Sequence, residues 1–357
     1  MRKLLEEGRT SGRKRRKGSA KDAKKTWYGF PLRLLRSFCV FCVRKSAFIF
    51  VFLAVPAFAG QVYVSSEKDN AMAVVDPVKM EVTGSVALCK RPRHMQLTPD
   101  KQRMLIACGD DHRVIVWDLA SGKTVDRLDV GEDPEAFDLS PDGKTLYVSN
   151  EDSSALTAFD LATRKKAFEV KVGAEPEGVK ASPDGKVVYV TSEVANMVHV
   201  IDVANRKLLK SIPVGKRPRR FILAGRELWV SNELDAAVSI IDTGELAVKG
   251  RIAFLPPGMR SEDVTPVGMA LSPDGKTAYV GLGRANHVAV VDVASRQVRA
   301  YVLVGKRAWG LTVSPDGGRL YVANGLSDDM TIIDTASLKP LKTVRVGRVP
   351  YGIVVTE

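Results

Sequence analysis

Histidine and cysteine are scarce in this chain, four of each among 357 residues. The histidines (His94, His112, His199, His287) fall in different segments without metal-ligand spacing, so no metal site is expected. No Cys-x-x-Cys-His occurs, which excludes covalent c-type haem. A nucleophile elbow and a phosphate-cradling glycine loop are missing too. The apolar run Ala47–Val55 has about 9 residues, well short of the ~20 that cross a bilayer. A uniform charge is also lacking. The formal net charge is +13, but residues 1–59 hold 15 Lys/Arg against 3 Asp/Glu, and the rest holds 39 against 38. A nearly neutral body excludes a broad phosphate-binding surface, and no nucleic-acid partner is expected.

The basic end has its own explanation. Arg44-Lys45, the short apolar run and the small residues Ala57 and Ala59 form a secretory signal, with cleavage expected after Ala59. Residues 1–59 are thus read as a presequence, and residues 60–357 as one periplasmic domain without a membrane attachment after cleavage. The rival is an uncleaved anchor. The stretch Arg13–Lys17 reads as a long n-region or a start codon set too far upstream, ahead of a nucleic-acid or membrane tail. Cys39 and Cys42 would leave with the presequence.

From residue 61 the chain repeats itself. Tyr63-Val64, Leu105-Ile106, Tyr147-Val148, Tyr189-Val190, Trp229-Val230, Tyr279-Val280 and Tyr321-Val322 recur at spacings of 42, 42, 42, 40, 50 and 42. An Asp (76, 118, 160, 202, 242, 292, 334) and a Pro slot (92, 134, 176, 218, 266, Ala308, 350) keep step. Within a unit the apolar pattern alternates in short runs split by turns such as Pro141-Asp142-Gly143. Four strands in about 42 residues make a propeller blade, so seven units predict an all-β, seven-bladed β-propeller. The chain starts on a second strand and ends on a first, so the C-terminal strand should complete the N-terminal blade. Unit five has a shortened turn at Ala224-Gly225-Arg226, and Phe254–Pro266 is an insertion in a linking loop, on the face where irregular loops carry binding.

Tyr-Val-(Ser/Thr)-(Asn/Ser), Val-Val/Ile-Asp, Ser-Pro-Asp-Gly-Lys and Val-Gly-x-x-Pro together resemble the YVTN β-propeller repeat family over essentially all of residues 61–357. Irregular pieces such as Ser66–Asn70, Glu175–Gly178, Lys216–Arg219 and Leu303–Trp309 are most similar to the PQQ-dependent catabolism-associated β-propeller proteins. That resemblance implies a periplasmic accessory to alcohol oxidation by quinone enzymes. The chain lacks the eighth blade and repeated Trp docking motif of the large quinoprotein dehydrogenases, so no cofactor is expected in it. Trp117-Asp118 mimics a WD40 signature in one unit alone.

Positions that break the repeat are the candidates for chemistry. After the Pro slot come Arg93, Glu135, Glu177, Arg219, Val267, Trp309 and Tyr351, and at the next position His94 and Arg220 replace Gly or Ala. Cations, carboxylates and aromatics at the channel mouth suit a small polar ligand; the equally open alternative is that they pair with one another and fill the channel. Loop charges on that face suggest a basic inner ring and an acidic outer ring. Cys89 and Cys108 can bond if their Cα atoms approach within about 7 Å, or stand as two thiols.

The expected function is a monomeric, non-enzymatic binding or scaffold protein. Its partner would be a periplasmic protein (a quinoprotein dehydrogenase, cytochrome or transport component) or a small polar ligand. The alternative is a propeller enzyme, a lactonase-like hydrolase or a dehydrogenase-type subunit. There Glu135, Glu177 and His94 would be the acid–base candidates.

Overall fold

The repeated letters do local work first. In the third unit the Ser140 carbonyl accepts the Gly143 amide at 2.8 Å, and its hydroxyl accepts the Thr145 amide at 2.9 Å. Gly143 and its counterparts Gly185, Gly275 and Gly317 take φ of +68°, +69°, +71° and +75°, where a Cβ is disfavoured. The recurrent Asp turns the chain between the third and fourth strands. Asp118 Oδ1 accepts the Ser121 amide at 2.8 Å, and Asp160 Oδ1 the Thr163 amide at 2.6 Å.

The computed structural model describes residues 60–356, where these hairpins build seven four-stranded antiparallel sheets. Counted from the N-terminus, blade II runs inner to outer through Pro92–Leu97, Arg103–Cys108, Arg113–Asp118 and Lys123–Asp129. Blades III to VII follow the same order. In blade I the inner strand is the C-terminal Pro350–Val355, paired to Val62–Ser66. There Gln61 N donates to Thr356 Oγ1 at 2.8 Å, and Thr356 N donates to Gln61 O at 2.9 Å. This is the closure that the unit count required. The presequence, its cleavage point, Cys39 and Cys42 lie outside the described residues. No helix among the described residues is long and apolar enough to cross a membrane.

Each interblade seam has its own apolar cluster; Leu105 and Val116 meet Phe137 and Val148 between blades II and III. Fully buried aliphatic side chains of this kind each contribute about 1.5–3 kcal/mol. The Ser/Thr after Tyr-Val adds a polar peg. Ser149 Oγ accepts the Ala136 amide of its own blade at 3.2 Å and donates to Glu177 O of the next at 2.7 Å. Ser65, Thr191 and Ser231 reach Arg93 O, Arg219 O and Val267 O at 2.8, 3.0 and 2.6 Å.

The peg reaches because the inner strand is bulged just after the Pro slot in blades I, II, III, IV, V and VII. A bulge leaves two residues per blade outside the ladder. Those are the residues at the channel mouth. The second is commonly Gly: a Cβ on Gly178, Gly268 or Gly310 would collide with the next blade's carbonyl at Arg219, Trp309 or Tyr351.

Irregular units fall where the repeat count put them. The short turn in blade V holds Gly225 at φ +61°. The insertion ahead of blade VI is pinned by buried Phe254 and Val264 and forms a turn of 3-10 helix at Ser261–Asp263. Cys89 and Cys108 are bonded, with Cα atoms 5.8 Å apart, tying the loop between blades I and II to blade II.

Candidate functional site

The residue after the Pro slot takes the same place in all seven blades, and these side chains close on one another. Val267, Trp309 and Tyr351 pack as an apolar trio. Facing them, Arg93 pairs with Glu135, and Arg219 pairs with Glu193 and, at 3.2 Å, with Glu177. Arg93 lies over the Tyr351 ring at 4.6 Å and Arg219 over Trp309 at 5.0 Å, which joins the two halves. Arg220 pairs with Glu177 at 2.8 Å and donates to the Tyr351 hydroxyl, which donates to Glu177 Oε1 at 3.2 Å. This is a plug rather than an open funnel.

Loop acids complete it. Glu67 meets Arg93 Nε at 3.2 Å, Glu233 meets Arg219 Nε at 3.0 Å, and Glu193 meets Arg217 Nε at 2.8 Å. The concentric rings expected from the sequence are therefore not how the charges lie. A guanidinium as buried as that of Arg219 needs carboxylates around it, so the nearest loop acids turn inward. Asp133, Glu135 and Glu151 could together face a cation, but Arg91 already pairs with Asp133 and, at 3.2 Å, with Glu135.

The plug sorts its carboxyls. Burial, then the charge of Glu177, pushes Glu135 up, against the pull of Arg93. Burial also pushes on Glu177, but Arg220, Arg219 and Arg93 outweigh it and keep Glu177 ionised. Glu193 is pushed up to about 7 by burial and by Glu177, against Arg219 and Arg217. The Tyr351 phenol is pushed up to about 12, by burial above all.

Beneath the plug the channel widens into a chamber of about 270 Å³. Its polar wall comes from blades II to V: His94, Gln96, Asp138, Lys180 and Arg220. Asp138 accepts from Gln96 Nε2 at 2.9 Å and pairs with Lys180 Nζ at 2.9 Å. The opposite wall is Met269, Trp309, Leu311 and Ile353. The indole N–H of Trp309 is buried with no acceptor among the described residues. His94 stands edge-on to Phe137, ring centres 4.8 Å apart. It is partly exposed to the chamber, and burial of the ring, with help from Arg220, pushes its imidazole down to about 3. At neutral pH it carries no charge.

Of the residues singled out from sequence, His94, Arg220, Trp309 and Tyr351 line the chamber, while Arg93, Glu135, Glu177 and Arg219 sit in the plug above it. Gln96, Asp138 and Lys180 escaped notice. They break the repeat at one shared position, where blades V, VI and I carry Ile222, Ala270 and Val354. Comparing the units at that position as well would have found them.

Comparison with known proteins now has a geometry to meet. Residues 211–355 match the model of the lactonase family described as a seven-bladed β-propeller. That segment includes Arg219, Arg220, Trp309 and Tyr351 but not His94. A search of curated proteins gave no significant match. Among solved structures, the periplasmic gluconolactonase of Pseudomonas aeruginosa is similar at 22% identity and TM-score 0.72, covering 84% of this chain and 99% of that one. A putative 6-phosphogluconolactonase from Bacteroides fragilis gives 18% identity and TM-score 0.71, covering 85% and 99%. Hydrazine synthase of Kuenenia stuttgartiensis gives 24% and 0.69, covering 77% and 92%. At these identities the structures speak for the fold alone. The family match favours the hydrolase alternative over the scaffold reading, and nothing in the comparisons touches the quinone association. The chain is a seven-bladed β-propeller, and its segment from residue 211 to 355 is similar to the lactonase form of that architecture.

Proposed function

We propose that the protein is a lactone hydrolase whose reaction takes place in the chamber beneath the plug. The observation that carries this is an uncharged imidazole, His94, facing a cavity shared with the Arg220 guanidinium. The lactonase family match and the two lactonase-named structures support it.

The residues divide the work simply. His94 takes a proton from a water as that water adds to the lactone carbonyl carbon. Negative charge gathering on the carbonyl oxygen is met by Arg220, which Glu177 and Tyr351 hold in place. The ring C–O bond then breaks, the imidazole returns its proton to the leaving alkoxide, and a hydroxy acid departs. Trp309 and Leu311 offer an apolar face to the ring, and Lys180 with Asp138 offers hydrogen-bonding groups to hydroxyls. Glu135 and Glu177 act as positioning groups, not as the proton carriers.

A periplasmic setting is part of the proposal, resting on the signal ending at Ala59, the Cys89–Cys108 bond and a periplasmic structural neighbour. The quinone-linked reading fits chemically, because oxidising a cyclic hemiacetal yields a lactone for such an enzyme to open. The test is acid release from glucono-δ-lactone by the chain from residue 60 onward, followed in a pH-stat. Saturable turnover is expected, with kcat/KM flat from pH 7 to pH 5 because His94 stays uncharged there. No rate above the uncatalysed one, for this or for other small polar lactones, would defeat the proposal.

A further inference from the structure

On the linking-loop face, the third strand begins 8 residues after the Tyr-Val position in all seven blades, so the apex residues of the loops before it are equivalent. From blade I to blade VII they are Lys68, Asp110, Asp152, Val194, Leu234, Arg284 and Leu326. The first three are charged. Three of the last four are aliphatic, and all three stand out in solvent, Val194 at 61%, Leu234 at 53% and Leu326 at 62% exposure. A loop tip gains nothing in its own fold from an exposed leucine.

Cations are set beside these side chains. The Leu234 amide donates to Lys216 O at 3.2 Å and the Leu326 amide to Lys306 O at 3.0 Å, which places each leucine next to a lysine. Lys216, Lys306 and Arg284 are exposed and make no ion pair among the described residues. Between the tips of blades IV and V lies a cavity of about 320 Å³, walled by Val194, Leu234, Lys216 and Arg217, with Glu175 and Glu193 also in its lining and Glu193 paired to Arg217. Across the disc, blades II and III present Glu132 and Asp152.

We infer that the tips of blades IV to VII form a docking surface for an acidic protein segment carrying a protruding aliphatic or aromatic side chain. That side chain enters the cavity between Val194 and Leu234, and carboxylates on either side of it meet Lys216, Arg284 and Lys306. Charge complementarity selects such a partner over a basic one. An anionic bilayer fits less well, since a flat surface pressed on this face would also meet Glu132 and Asp152. The inference is independent of the reaction in the chamber.

The experiment uses a fluorescein-labelled peptide, Asp-Glu-Phe-Asp-Glu-Leu-Asp-Glu, titrated with the protein by fluorescence anisotropy. Binding is expected to weaken at least tenfold between 50 and 300 mM salt and at least tenfold in Lys216→Glu/Lys306→Glu, as a multi-contact charged interface requires. Leu234→Ser should cost about fivefold, whereas Lys68→Glu, across the disc, should cost nothing. These side chains are exposed, and unchanged urea midpoints will show that the variants fold. Equal binding of a peptide with lysine in place of each acid, no binding of the acidic one, or no effect of the blade IV–VII variants would overturn the inference. So would co-sedimentation with phosphatidylglycerol vesicles in the absence of peptide binding.

Discussion

The plug and the chamber are adjacent layers of one channel, built from neighbouring residues of the same seven strands; charges are paired in both, yet only the chamber leaves a titratable side chain without a polar partner among the described residues. In the plug, every buried charge is answered by another: Arg219 alone contacts Glu177, Glu193 and Glu233. In the chamber, His94 makes an edge contact with a phenyl ring and has no charge partner in hand. Saturated pairing closes space and holds blades together. A group left unsaturated in a cavity is available to something that enters. Glycine is common at the second bulge position because the next blade's carbonyl crowds it, so His94 and Arg220 stand where the fold would be easier without them.

The largest effect should come from breaking the saturated layer. Arg219→Ala leaves three carboxylates facing one another without their shared cation and should cost about 3–5 kcal/mol in urea unfolding. Retention of wild-type stability would mean the plug is not the ring's electrostatic lock. Next comes the unsaturated layer. His94→Gln should lower kcat for lactone opening by about 10²–10³-fold, the range for losing a general base, and leave the urea midpoint nearly unmoved. If stability fell and turnover did not, His94 would belong with the plug.

The smallest effect concerns pH. The Glu193 carboxyl is raised to about 7, so the stability it adds is present below its ordinary range near 4.5 and is lost as pH rises through 7. His94, depressed to about 3, works the other way, losing stability as pH falls through 6.5. The difference between wild type and Glu193→Gln isolates the first, and it should shift by on the order of 2 kcal/mol between pH 4.5 and 8. A flat difference would mean that Arg217 and Arg219 keep Glu193 ionised throughout.

Much of this was legible before any coordinates. Repeated Pro-Asp-Gly, Asp and Tyr-Val act through local turns and strand packing, and local causes leave their mark at fixed spacing. Blade number, closure by residues 350–355 and the place of the insertion all followed. The ring Arg93, Glu135, Glu177, Arg219, Val267, Trp309, Tyr351 could be named for the same reason. Whether that ring stood open or shut could not, because it depends on side-chain reach across the axis and on Glu67, Glu193 and Glu233 folding inward. The layer below was missed where Gln96, Asp138 and Lys180 look like ordinary strand residues until seven inner strands are set side by side.

The pairing of Gln61 with Thr356 joins residues 295 apart in sequence. Blade I therefore cannot form until Pro350–Val355 is available, however early Val62–Ser66 emerges from the ribosome. The ring stays unlocked while its last strand is still being synthesised, so the order of synthesis makes blade I, the first to begin, the last to be completed.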